Sequence, residues 1–257
     1  MNYFMLRSFD HAGYYETRLI LMVIGLVVAC WFALRRRDYR YAVMFACGLI
    51  FQGLMEYRLQ SSGMRGTSYN LSVFGYALPS FLGILFQGCV EGGILSLMAF
   101  WFTDLHVDSD RNRQDRKVFW MICGLIVVLA AFVGLMAAGR PISSPRPMFS
   151  RSSTFNIGAY VILSIIVCAF RGGLRYLGYF YLGLLLYVFL TFETLHIFGA
   201  RYISVRGADG QFAHAAMPWQ ILIMFLSHFW EVAGGKIHYF AAPFLLGLVK
   251  FNSARKR

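Results

Sequence analysis

Apolar positions in this chain gather into stretches of about 14 to 35 residues, separated by short polar connectors rich in arginine. Such stretches occur at 19–34, 41–60, 71–104, 118–139, 157–170, 177–199 and 217–250. A bilayer core of ~30 Å takes about 20 helical residues, so the pattern predicts seven crossings in an all-α, polytopic membrane helix bundle of one domain. Two stretches are too long for one straight helix, since 35 residues would measure roughly 50 Å. The third contains Pro79, which predicts an outside segment that bends before the crossing. The last contains Gly234-Gly235, which predicts a break or kink.

Charge gives the bundle an expected orientation. Arg35, Arg36, Arg37, Arg40, Arg111, Arg113, Arg116, Lys117, Arg171, Arg175, Lys250, Arg255, Lys256 and Arg257 fall on one side. Arg7, Arg18, Arg58, Arg65, Arg140, Arg146, Arg151, Arg201 and Arg206 fall on the other, with Lys236 left inside a span. The bias predicts the N-terminus outside and the C-terminus in the cytoplasm. The expected location is an integral, multi-pass position in a membrane, the plasma (inner) membrane if the source is bacterial.

Composition agrees. The 257 residues are 58% hydrophobic and only 14% charged, against about a quarter charged in soluble domains. The net charge of +12 does not point to nucleic acid, because the cations sit in connectors, where they meet anionic lipid. Membrane lipids and a lipophilic small molecule are the expected partners. Cys30, Cys47, Cys89, Cys123 and Cys168 lie in apolar stretches without a C-x-x-C pair and read as small buried hydrophobes. The first 18 residues lack the basic and apolar regions of a cleavable signal peptide.

The acids carry the functional signal. Glu56, Glu91, Glu193 and Glu231 fall inside apolar spans, whereas the seven aspartates read as belonging to the N-terminal segment and connectors. A carboxylate in a span costs several kcal/mol unless it is paired, neutralised or facing water. Counted from the cytoplasmic end, the four glutamates lie roughly 20 to 29 Å up, all in the outer half. They predict one polar layer around an outward-opening pocket, with His196, His228, His238, Lys236 and Arg58 beside them. Glu193-Thr194-Leu195-His196 and His228-Phe229-Trp230-Glu231 each place an acid and an imidazole three residues apart, so each pair is expected to share a helix face.

Two chemistries follow from that inventory. Glu56, Glu91, Glu193, His196, His228, Glu231 and His238 match in kind the ligands of two-metal carboxylate bundles, although the last pair runs His before Glu. Alternatively, Glu56, Glu91, Glu193 and Glu231 serve as acid–base catalysts without metal, with Trp230, Lys236 and Arg58 lining the substrate site. Lys236 reads as a counter-ion to a glutamate in preference to a retinal Schiff base. A short echo, Phe51-Gln52-Gly53-Leu54-Met55-Glu56 and Phe86-Gln87-Gly88-Cys89-Val90-Glu91, reads as two similar local solutions: Gly for close helix approach, Gln and Glu for polar contact.

With seven spans, Glu56 in the second and Glu231 in the last, the chain resembles the seven-helix integral-membrane terpene cyclases. That resemblance implies acids on the second and last helices that start cyclisation of an isoprenoid. The chain differs in having Met55 before the helix-two acid, where the family typically has Trp, and Glu193 with His196 has no counterpart. The leading expectation is therefore a membrane enzyme acting on an isoprenoid or lipid by Glu/His chemistry. The alternative is a proton- or cation-coupled transporter using the same layer.

Overall fold

The structure is a computed structural model and describes residues 3–7, 13–61, 72–107, 113–137 and 143–251. Of the cations counted above, Arg65, Arg111, Arg140, Arg255, Lys256 and Arg257 lie outside the described residues.

The chain is mostly helical, and six helices are long and apolar enough to cross a membrane. Strand β1 (Tyr3–Arg7) precedes helices α1 (Tyr14–Arg35) and α2 (Arg40–Ser61). A hairpin of β2 (Ser72–Val73) and β3 (Tyr76–Ala77) leads into α3 (Ser80–Val107). Then come α4 (Arg113–Ala137), β4 (Ser143–Pro147), α5 (Arg151–Phe170) and α6 (Leu174–Ile197). Strands β5 (Arg201–Arg206) and β6 (Phe212–His214) precede α7, a seventh helical run over 217–245. The two long stretches resolve as their breakers require. Helix α3 starts immediately after Pro79, and α7 tightens into a 3₁₀ turn at Gly234–Lys236.

Helix α5 begins six residues earlier than hydropathy suggests, because the Ser150 hydroxyl accepts a hydrogen bond from the Ser153 amide and caps the first turn. Asp104 and Asp115 lie inside α3 and α4 and are buried, a correction to their reading as connector residues.

An all-α description omits one feature, a four-stranded antiparallel sheet in the order β4-β1-β5-β6. In register, Tyr3 opposes Val205 and Arg7 opposes Arg201. Met5 and Ile203 share its inner face and pack with Ile223 and Met224 of α7 in a small separate core. The sheet gathers segments that follow zero, four and six helical runs, so these connectors lie together at one end. The opposite end joins connectors after one, three and seven runs. There Arg36 pairs with Asp115 at 2.9 Å, Arg40 with Asp104 at 3.3 Å, and Arg40 donates to the Lys250 carbonyl at 3.0 Å.

Between the ends, packing is uneven. Near the ion-paired end, Phe32 stacks on Tyr41 at 3.7 Å, with Phe100, Trp101 and Phe119 edge-on around them. All five are buried. Helices α2 and α3 meet backbone to backbone, because a Cβ on Gly48 or Gly92 would collide with the carbonyl of the other. The outward faces remain apolar: Val27, Leu54, Val128, Leu163 and Ile221 are all exposed, as lipid-facing residues should be.

Candidate functional site

Three of the long runs change their winding where they carry an acid. A π turn replaces α geometry at Gly88–Gly93 in α3, at Phe189–Glu193 in α6 and at Ser227–Ala233 in α7. These segments contain Glu91, Glu193 and Glu231 respectively. A π turn closes its hydrogen bonds over five residues, so it re-aims side chains and leaves positions i and i+3 apart. π turns of this kind are frequent at functional sites.

Gln52 is the hub of the first cluster. Its side-chain amide donates towards Glu56 Oε1 at 3.3 Å and Glu91 Oε2 at 3.4 Å. Its carbonyl accepts from Lys236 Nζ at 2.7 Å and Tyr239 OH at 3.0 Å. Glu56, Gln52 and Tyr239 are buried, whereas Glu91 and Lys236 are half-buried. The glycines of the repeated F-Q-G-x-x-E segments make this possible: a Cβ on Gly88 would lie 3.4 Å from Gly53 Cα and 2.7 Å from the Leu49 carbonyl oxygen. Removing that Cβ lets the two acids reach one amide.

Arg18 continues the layer from α1. It is buried, donates to Tyr187 OH at 3.1 Å and lies within electrostatic reach of Glu91. Its guanidinium also sits 5.9 Å from the centre of the Phe192 ring, and Arg201 covers the same ring at 4.4 Å. Arg201, the first residue of β5, also contacts Met5 and stands 3.5 Å from His228 Nε2. Guanidinium can only donate, so this contact asks for a lone pair on Nε2 and puts the ring proton on Nδ1. Nδ1 faces Glu193 Oε2 at 3.7 Å. His228 is fully buried, while the Glu193 side chain is 34% exposed. His196 is half-buried and lies within electrostatic reach of Glu193 and Arg201.

The anticipated layer is therefore partly assembled. Glu56, Glu91, Glu193, His196, His228 and Lys236 belong to one connected band with Arg18 and Arg201. Glu231 does not join it through any contact seen here. Its carboxylate accepts from the Phe149 amide at 2.8 Å and Ser227 Oγ at 3.1 Å, and it pairs with the exposed Arg146 at 3.3 Å, pinning the connector after β4. The π turn explains the split: Ser227, four residues away, shares the Glu231 face, whereas His228, three away, turns to Glu193.

Arg58 is exposed in the last turn of α2, two residues from Glu56 and so on another face. Trp230 is half-buried beside Gly158, and its indole nitrogen has no hydrogen-bond partner among the described residues. His238 sits among the rings of Phe51, Tyr160 and Tyr239, at 5.0, 4.4 and 4.7 Å.

The geometry does not assemble the two-metal ligand set. Among the described residues, no three His, Cys, Asp or Glu side chains come together closely enough to hold a metal ion. The acids on which the cyclase resemblance rests, Glu56 and Glu231, are engaged by separate partners. A void of about 10 Å³ adjoins Arg18, Thr17 and Thr191, room for about one water. A larger hollow, about 640 Å³, lies on the outer surface of α4, away from the glutamates.

Arg18, Arg201, Tyr187 and Tyr239 were missed by sequence reasoning, and Gln52 was read only as a polar contact between helices. Tyr14 and Arg18, one helical turn apart, were the available signal: Arg18 sits 4.7 Å from the Tyr14 ring centre. No protein-family model, curated protein or solved structure matches this chain.

Proposed function

We propose that this is an integral membrane enzyme that performs acid–base chemistry on a lipid or isoprenoid entering from the bilayer. We place the sheet end outside and the arginine-rich, ion-paired end in the cytoplasm, as the charge bias favours. One observation carries the reading. The two half-buried carboxylates of the band, Glu91 and Glu193, lie on π turns against the buried side chains of Gln52 and His228, and the opposite half of the bundle is filled by aromatic packing. A one-sided polar band suits a site that is entered and left by the same face.

In this scheme Glu91 and Glu193 are the proton-accepting groups; His228, whose Nδ1 faces Glu193, exchanges a proton with it directly, while Gln52, fixed by Lys236 and Tyr239, and Arg201 orient the acids and the imidazole without passing protons. The cations balance the acids: Arg18, Arg201 and Lys236 against Glu56, Glu91 and Glu193. That balance lowers the cost of holding three carboxylates in the band. The purified protein in lipid nanodiscs, incubated with membrane lipid extract, should generate a product resolved by mass spectrometry and chromatography. Glu91→Gln and Glu193→Gln should each abolish it. No wild-type product across isoprenoid and phospholipid fractions overturns the proposal.

Proton- or cation-coupled transport is the second reading. It is favoured by the size of the void beside Arg18, which admits a water but no organic ligand. Ion-dependent flux in liposomes, lost in Glu91→Gln without any lipid product, would select it.

A further inference from the structure

The first turns of α4 carry three cations that pair with none of the described residues. Arg113, Arg116 and Lys117 are exposed and have no hydrogen bond or ion pair with the described residues. Their neighbour Asp115 pairs with Arg36 at 2.9 Å. With Trp120 and Met121 the three cations line the open hollow of about 640 Å³. These five positions, at i, i+3, i+4, i+7 and i+8, fall on one face of the helix.

The same face continues away from the charges as an apolar track. Leu125, Val128 and Phe132 are exposed along it, and Gly124 leaves a notch with nothing within 4 Å of where its Cβ would be. From Lys117 to Phe132 the rise is roughly 22 Å, comparable with the depth of one leaflet and more. Cations, then an indole, then an apolar groove running into the bilayer reproduce the order of groups along a phospholipid.

We infer that this face of α4 is a binding site for an anionic phospholipid, its phosphate held by Arg113, Arg116 and Lys117 and one acyl chain lying over Gly124 between Trp120 and Val128. The site is separate from the glutamate band and independent of the chemistry proposed there. A juxtamembrane cation contributes about fivefold to anionic-lipid affinity, so three together are worth up to ~100-fold.

Native mass spectrometry of the detergent-purified full chain, titrated with dioleoyl phosphatidylglycerol or dioleoyl phosphatidylcholine, tests this. The wild type should retain the anionic lipid at least ~10-fold better than the zwitterionic one. The triple variant Arg113→Gln, Arg116→Gln, Lys117→Gln should lose that preference, while Arg171→Gln with Arg175→Gln, at the same end of the bundle, should keep it. Equal retention of the two lipids by wild type, an unaffected triple variant, or equal loss in both variants would overturn the site. Trp120 supplies a second readout that needs no charge change: brominated phosphatidylglycerol should quench a component of the fluorescence that is missing in Trp120→Phe. Identical quenching of the two proteins would also refute it.

Discussion

Gly92→Ala is the sharpest test of how the band is held. A methyl group there would lie 2.5 Å from Gln52 Cβ and 2.7 Å from the Gly48 carbonyl carbon. Ordinary contact begins near 3.4 Å, so α2 and α3 must separate by roughly 1 Å, enough to forfeit much of the dispersion between them. Both obstacles belong to α2 itself and cannot swing aside like the tip of a flexible chain. Overpacking of this kind costs about 1–3 kcal/mol, and the Gln52–Glu91 contact, already 3.4 Å, would be lost for a further ~1–3 kcal/mol. The intrinsic helix gain of Ala over Gly returns only about 1 kcal/mol. The net expectation is a loss of about 1–5 kcal/mol, or a thermal midpoint lowered by roughly 2–20 °C in detergent. Gly124→Ala is the matched control, because its methyl meets nothing within 4 Å. It should leave the midpoint unchanged or raise it slightly. Tryptophan fluorescence melts of both variants suffice, and a Gly92→Ala midpoint at or above wild type would refute the backbone-contact argument.

Other perturbations probe the remaining parts. Gln52→Leu removes the partner of two donors and two carboxylates at once and should lower stability by more than about 3 kcal/mol, read as a depressed midpoint or loss of the monodisperse peak. Glu231→Ala should expose the connector after β4 to protease, because it strips the Phe149 amide of its acceptor; Arg146→Ala should not, since an exposed pair is worth at most about 1 kcal/mol. Asp104→Ala should cost about 1–3 kcal/mol by taking an acceptor from Tyr41 and from Arg40, which keeps Asp38 at 2.7 Å, and equal midpoints for variant and wild type would remove the Asp104 contacts from the argument.

How much of this was visible beforehand depends on the range of the interaction involved. The helical runs follow from apolar length alone, and the breaks at Pro79 and Gly234 from residues that cannot continue an α helix. The F-Q-G-x-x-E pair was legible because Gly and a polar amide in a span have few uses other than close approach and contact between helices. The π turns were not legible. Spacing rules presume α winding, so His228 and Glu231 looked like partners, yet the wider turn sends one to Glu193 and the other to the connector after β4. Arg18 and Arg201 were read as connector charges, because each lies at an element's end and its burial depends on distant packing. The sheet was hidden for a related reason: Ser143–Pro147, with two prolines, has no strand character of its own and is ordered by β1. The alternation of Ile203 and Val205 with polar neighbours in β5 was the one strand signal available.

Strand β1 is the middle partner of β4 and β5, although it is the earliest of the strands in the chain. Neither companion exists until four and six helical runs, respectively, have been synthesised behind it. One edge of it can pair with β4 first, and the other is filled only when β5 arrives carrying Arg201 into the band. Completion of the sheet and completion of the charged band thus depend on the same late segment of the chain.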